Sequence, residues 1–208
     1  MGSVEIYFAG IIEDKEGKDT IRYIGKLLSH FGYNFIYSNG KGNIIYLNKK
    51  NIVLVIIYMN PKDIDIFGAM GIKFDFLIHN FMKEEDYRQD IVMEQFVGCK
   101  YYILNSDDKN WTLLPLGSFD GIVITYGFNS KATLTISSYN INQMIKANLC
   151  LQREIISIWE KRIEPFEFTV EVDSDNRDNI YPILAASILS FILWDSEISL
   201  KDYKSIKI

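Results

Sequence analysis

The sequence predicts an α/β fold: a doubly wound, mostly parallel sheet with a phosphate-loop-like start and an antiparallel β extension. Three observations carry that expectation. The chain opens as strand, loop and helix, with Gly17-Lys18-Asp19-Thr20 at the turn into the helix. Unbroken apolar runs then recur, as at Ile52-Val53-Leu54-Val55-Ile56-Ile57, and such runs mark strands covered on both faces. After Gly127 the pattern becomes alternating, the mark of half-exposed antiparallel strands.

Each element follows from its own residues. Glu5-Ile6-Tyr7-Phe8-Ala9, ending at Gly10, reads as a buried first strand. From Asp19 the period turns helical: Ile21, Ile24, Leu27, Leu28 and Phe31 share a face, Arg22, Lys26 and His30 lie between them, and Gly32 closes the helix. Phe35-Ile36-Tyr37 and Ile44-Ile45-Tyr46-Leu47 flank the turn-rich segment Ser38 to Asn43, a hairpin signal. Phe74 to Ile78, Tyr101 to Leu104 and Gly121 to Tyr126 repeat the character of the 52–57 run. The connections Asp63 to Met70 and Glu84 to Phe96 are long enough for a helix or crossover. Thr133 to Ser137, Ala147 to Leu151 and Phe166 to Val172 alternate. A buried apolar helix spans Ile180 to Trp194, and a charged tail, Lys201 to Ile208, follows. No repeat or linker interrupts this order, so a single domain over 1–208 is expected.

Composition excludes several function classes. A chain of 208 residues, 48% hydrophobic and 24% charged, can bury a full core without staples. Net charge is −5 and no basic run exceeds Lys49-Lys50, so nucleic-acid binding has no electrostatic footprint. Cys99 and Cys150 stand far apart in apolar settings and read as buried reduced thiols, with a disulfide or a reactive thiol as the alternative. With only His30 and His79, a zinc site would need carboxylates. Glu5 argues against a signal peptide, and Ile6 stands where a myristoylation motif wants Ser or Thr. Ile180 to Trp194 is shorter than the ~20 residues needed to span a bilayer and contains Pro182, Ser187 and Ser190. The expectation is a cytoplasmic protein with no membrane segment.

The turn before the first helix admits two readings. A phosphate loop works because glycines let backbone N–H groups close around phosphate at a helix N-terminus. Glu13, Asp14, Glu16 and Asp19 crowd acid into that place. Like unit charges ~4 Å apart repel by about 4 kcal/mol at an effective dielectric near 20, which offsets the help from Lys18. The other reading is that Asp19 caps the helix and the acids favour its positive end. Asn105-Ser106-Asp107-Asp108, taken alone, is an Asx-rich turn. Pro182, taken alone, is a proline in the first helical turn.

Taken in order, these segments resemble the central domain of the Mur ligase family, ATP-dependent amide-forming ligases, from about Val4 to Tyr203. Gly17, Lys18 and Thr20 match the family's loop, with Asp14 in place of its first Gly and Asp19 in place of a hydroxyl. The run Ile52 to Ile57 ends in Tyr58-Met59-Asn60, without the acid that holds magnesium in the family. Asn80 matches a strand ending in Thr-Asn, while Glu84-Glu85 stand where an Asp-His pair belongs. No Lys lies near Asp90-Ile91-Val92, where many members carry a carbamylated one. The closest matches are Asn105, Asp107 and Asp108, which resemble a strand followed by Asn-x-Asp-Asp, and Tyr126-Gly127, which resemble a strand ending in Tyr-Gly. Asn179 and Ala185-Ala186 match the segment opening the family's Ala-rich helix. Asp178 replaces its His there, and Pro182 replaces the Asn that contacts adenine.

The resemblance implies a vestigial nucleotide site of Gly17, Lys18, Thr20 and Asn179, and no catalytic or metal-binding residue. Asn80, Asn105, Asp107, Asp108, Tyr126 and Gly127 are motif matches without an assigned role. ATP is the implied ligand, weakly held or lost, and magnesium has no ligand set. The implied function is that of a catalytically degenerate homologue retained for binding or regulation. The alternative is the ATP-binding module of an amino-acid ligase completed by a partner chain, because the family's N- and C-terminal domains do not fit into this length. A protein partner or homodimer is a third expectation, with Trp111, Trp159 and Tyr139 as candidate surface aromatics. A peptidoglycan link would come from the family alone.

Overall fold

A computed structural model describes residues 3–14, 18–39, 41–64, 66, 71–141, 144–174, 176–195 and 204–208. The chain runs β1 (Glu5–Ile12), α1 (Asp19–His30), β2 (Asn34–Ser38), β3 (Ile44–Lys49), β4 (Ile52–Met59) and β5 (Phe76–His79). It continues through α2 (Asp90–Glu94), β6 (Tyr101–Asn105), β7 (Ile122–Tyr126), β8 (Leu134–Ile141) and β9 (Ile145–Leu151). A small ribbon, β10 (Ile155–Ile156) and β11 (Arg162–Ile163), precedes β12 (Phe166–Val172), α3 (Ile180–Ile192) and β13 (Ser205–Lys207).

Eleven strands form one sheet in the order β13-β12-β9-β8-β7-β6-β5-β1-β4-β3-β2. β1 lies between β4 and β5 and is parallel to both, and β5, β6 and β7 continue the parallel centre. The flanks are antiparallel: β2–β3–β4 on one side, β8–β9–β12 on the other. The sheet is thus mixed, mostly parallel, with antiparallel flanks, as the runs and alternations predict.

Both faces of the centre are covered, which is why its strands read as unbroken apolar runs. In β4, Leu54, Ile56 and Tyr58 enter one core while Val55, Ile57 and Met59 enter another. The first core includes α1 and α3, and the second takes Val92 of α2 with Phe74, Phe96 and Tyr102. Fully burying a Leu, Ile or Phe side chain contributes about 1.5–3 kcal/mol, so these cores dominate stability. α3 is buried nearly all round. Its two serines stay satisfied by donating back along the helix, Ser187 Oγ to the Ile183 carbonyl (2.8 Å) and Ser190 Oγ to the Ser187 carbonyl (2.7 Å).

Four local expectations need correction. β1 runs past Gly10, where a Cβ would lie 2.8 Å from Met59 Cε, so that glycine serves packing and does not end the strand. Asp19 is not the helix cap: Lys18 holds that position in a left-handed conformation (φ 50°) without a side-chain cap bond. Asp19 is the first helical residue and pairs with Arg22 at 2.7 Å, still favourable at the positive end of the helix. β7 is uncovered at its start, where Ile122 and Val123, on opposite faces, are both exposed, and buried further on at Ile124 and Tyr126. The charged tail contributes β13, which pairs parallel to β12 and buries Ile206 completely. Residues 65, 67–70 and 201–203 of the segments read above lie outside the described residues.

Candidate functional site

The parallel strands β1, β4, β5, β6 and β7 all end at one rim of the sheet, and ligands of open α/β sheets bind beyond that rim. Polar residues stand there: Glu13 after β1, Asn80 after β5 and Asn105 as the last residue of β6. Their side chains, with those of α1, form one bonded network.

Glu13 is its centre. Its side chain is buried, and Oε2 accepts from Thr20 Oγ1 at 2.7 Å and from Asn80 Nδ2 at 2.8 Å. Asn80 Oδ1 in turn accepts from Asn105 Nδ2 at 3.2 Å, and Asn105 Oδ1 accepts from the Asp107 N–H at 3.0 Å. The chain Thr20–Glu13–Asn80–Asn105 therefore ties α1 to three strand ends. Lys18 points elsewhere: its ammonium donates to the Lys41 carbonyl. Asp14 bonds Lys83 at 2.9 Å across the rim. Gly17 lies outside the described residues.

Asp107 holds the loop after β7, accepting from the N–H groups of Phe128 (2.5 Å) and Asn129 (3.2 Å) and from the Tyr181 hydroxyl (3.3 Å). Gly127 makes this possible. Its φ is +152°, and a Cβ there would sit 2.7 Å from the Asp107 carboxylate. Tyr126 donates its hydroxyl to the His79 carbonyl at 2.9 Å. Burial, reinforced by Asp107, pushes the Tyr181 hydroxyl up to about 12.

Asp108 anchors a second cluster. Its Oδ2 accepts from the Met82 N–H (2.9 Å) and the Tyr87 hydroxyl (2.7 Å), and its Oδ1 from the Asn110 N–H (2.8 Å). Burial alone would raise its carboxyl, but the hydrogen bonds around it outweigh that and hold it at about 2. Tyr87 OH also meets His79 Nε2 at 2.5 Å. Because that hydroxyl gives its proton to Asp108, its oxygen accepts from His79 Nε2–H, leaving Nδ1 as the unprotonated nitrogen. Burial lowers the pKa of His79, with Asp108 opposing, so the imidazole is neutral.

Asn179 sits apart from these groups. It donates to Ser174 Oγ at 2.7 Å, and its Oδ1 has no hydrogen-bond partner among the described residues. The nearby aromatics pack against one another, Tyr181 on Phe81 (ring centroids 4.7 Å) and on Phe128 (5.6 Å), with the Arg177 guanidinium over Phe128 and Tyr139.

The structure thus gathers Thr20, Asn80, Asn105, Asp107, Asp108, Tyr126 and Gly127 at one rim and leaves Lys18 and Asn179 outside the network. Reading by sequence missed the inward turn of Glu13 and the partnership of His79 with Tyr87. The position of Glu13, directly after a buried strand, was the available signal for the first; the second had none. Among the described residues no group of three or more His, Cys, Asp or Glu side chains could hold a metal ion. The end of β4 offers no carboxylate for magnesium, its last residue Met59 being followed by Asn60, and Thr20 and Asn80 are bonded to the Glu13 carboxylate, whose charge opposes a phosphate there.

Comparison of the backbone with solved structures decides the fold. Over 96% of this chain, MurF from Acinetobacter baumannii superposes with a TM-score of 0.66 at 10% identity. The fold is that of a Mur ligase domain. A UDP-N-acetylmuramoyl-L-alanyl-D-glutamate–2,6-diaminopimelate ligase matches the same share with a TM-score of 0.67 at 12% identity. A pseudomurein peptide ligase type C from Methanothermus fervidus covers 98% with a TM-score of 0.56 at 12% identity. This Mur ligase-like domain spans 44%, 45% and 49% of those three chains respectively. Identity this low carries the fold and not the chemistry. No protein-family model matches the chain, and no curated protein matches it by sequence. No helix among the described residues is long and apolar enough to cross a membrane.

Proposed function

We propose that this Mur ligase-like domain is a catalytically degenerate one, retained for binding or regulation and not for ATP-driven amide formation. One observation carries the reading: the buried Glu13 carboxylate takes the hydrogen bonds of Thr20 and Asn80, the two residues that match the family's loop hydroxyl and strand-end amide. A phosphate brought to those groups would meet a fixed negative charge, and like charges ~4 Å apart cost about 4 kcal/mol at an effective dielectric near 20. Lys18, turned to Lys41, is not poised to offset it. Phosphoryl chemistry rests on positioning and charge neutralisation, and both are compromised here.

Calorimetry with Mg-ATP tests this directly. The expected result is no binding at millimolar nucleotide for the wild type. ATP hydrolysis that disappears in Lys18→Ala would refute the proposal.

The second reading is an ATP-binding module completed by a partner chain. It is favoured by the position of the network, at the crevice where α/β sheets take ligands, and by the domain's length relative to the ligases it matches. It predicts that Mg-ATP binding returns with the partner present, at Gly17, Lys18, Thr20 and Asn179. In either case a homodimer or a protein partner in the cytoplasm is the expected setting, and light scattering reads the first.

A further inference from the structure

A groove of about 730 Å³ is lined by α1 and the β2–β3 hairpin, and reaches Lys18 at the start of the helix. Its basic groups are regularly spaced. Lys18, Arg22, Lys26 and His30 recur every fourth residue and line it from end to end. At 1.5 Å rise per residue they form a rail roughly 18 Å long. Lys207 of β13 also lines it. No Asp or Glu is among the described lining residues, in a chain holding 27 acids against 22 Lys and Arg.

The basic side chains are supported in place. The Tyr23 ring lies under Arg22 (5.0 Å) and Lys26 (5.7 Å), and the Lys41 carbonyl holds Lys18. Asp19 neutralises part of Arg22 at 2.7 Å and leaves Lys18 and Lys26 as the excess positive charge of the rail. The floor is apolar: Ile21, Phe35, Ile45 and Ile208. At Gly25 the helix comes close to the hairpin, since a Cβ there would lie 3.4 Å from Ile45 Cδ1 and a larger side chain would have to take up groove space. A mostly apolar hollow with a few charged groups on one bank, of this volume, suits one small molecule.

We infer that this groove binds a single-chain anionic amphiphile, its alkyl chain along Ile21, Gly25 and Ile45 and its carboxylate or phosphate head against Arg22 and Lys26. The apolar floor supplies affinity and the rail selects the sign of charge. Arg22, Gly25, Lys26 and Ile45 take no part in the rim network, and Lys18 alone is common to this groove and to the nucleotide-binding reading.

Titration calorimetry with dodecyl phosphate below its micelle concentration tests the site, with dodecyl maltoside as the neutral control. The expected result is saturable binding of the phosphate alone, weakened by salt because exposed charges are screened. Arg22→Glu combined with Lys26→Glu should weaken it at least tenfold. Gly25→Leu, which fills the floor and leaves every charge in place, should abolish it; circular dichroism verifies that both variants fold. If charge reversal prevents folding, Gly25→Leu and the salt series carry the test. Equal binding of the neutral amphiphile, or binding unchanged in Gly25→Leu, would overturn the inference. So would flotation with phosphatidylglycerol vesicles in the absence of binding to the free monomer, which would make this a membrane surface.

Discussion

Tyr87→Phe tests the buried chain from His79 through Tyr87 to Asp108. The substitution removes one oxygen and keeps the ring. It deletes a 2.7 Å hydrogen bond to a carboxylate, worth about 1.5–3 kcal/mol. It also strands the His79 Nε2–H, an orphaned buried donor costing about 1–3 kcal/mol. Nε2 stands 3.6 Å from Asp108 Oδ2, close enough to shift and recover part of that, so the net loss at pH 8 should be about 3 kcal/mol. For a chain of this size that is roughly 6–12 °C in Tm.

The pH dependence sharpens the test. In the wild type, burial holds the folded pKa of His79 below its ordinary 6.5. The unfolded chain therefore binds a proton first as pH falls through 6.5, and stability that is complete above that value declines by up to about 1.4 kcal/mol per pH unit. The contribution of Asp108 is held above its ordinary 3.8 and is lost as pH falls toward about 2. Without the tyrosine oxygen, a protonated His79 can pair directly with Asp108, which raises its folded pKa. The deficit of the variant should therefore be smaller at pH 5 than at pH 8. Urea unfolding followed by tryptophan fluorescence at both pH values measures it. An unchanged midpoint at pH 8, or a deficit that grows on acidification, would refute the reasoning.

Other perturbations have equally direct readouts. Gly127→Ala forces a methyl to 2.7 Å from the Asp107 carboxylate at a φ that disfavours it. A loss of about 2–4 kcal/mol in a thermal melt is expected, and an unshifted melt would show that Asp107 does not hold this loop. Gly121→Ala should be worse, because its Cβ would lie 2.2 Å from the Cys99 carbonyl oxygen, backbone that cannot swing aside; soluble protein with a wild-type melt would contradict that. Burial pushes the Cys99 thiol up to about 12, while Cys150 is only half-buried. A thiol-specific disulfide reagent at pH 8 should therefore modify Cys150 in the folded protein and Cys99 only after urea is added.

Much of the sheet was legible because burial on both faces leaves an unmistakable imprint. β4 can supply both cores only if every residue from Ile52 to Met59 is apolar or aromatic. The helix α1 was equally plain, its buried stripe closed by Gly32 at φ +83°. β13 was not, because a three-residue strand beside lysines shows one buried residue, Ile206, and no period. The rim was legible in membership and not in meaning. Asn105, Asp107 and Asp108 could be picked out by spacing, but that Asp107 serves the loop after β7 while Asp108 serves Tyr87 depends on partners 21 residues away. Glu13 shows the limit most clearly. An acid after a buried strand can face solvent or turn inward, and only the donors of Thr20 and Asn80, placed by other elements, decide which.

The central place of β1 also bears on how the chain is made. It is synthesised before the other described strands of its sheet, yet its neighbours are β4, which begins at Ile52, and β5, which begins at Phe76. At about 5–20 residues per second, the roughly 40 residues from Ile12 to Ile52 take about 2–8 s to emerge from a ribosome. Throughout that interval Phe8, Ile11 and Ile12 belong to a strand with two open edges. A chaperone or a second nascent chain can reach it before its native neighbours exist, so the yield of folded protein should depend on translation speed across the β2–β3 hairpin.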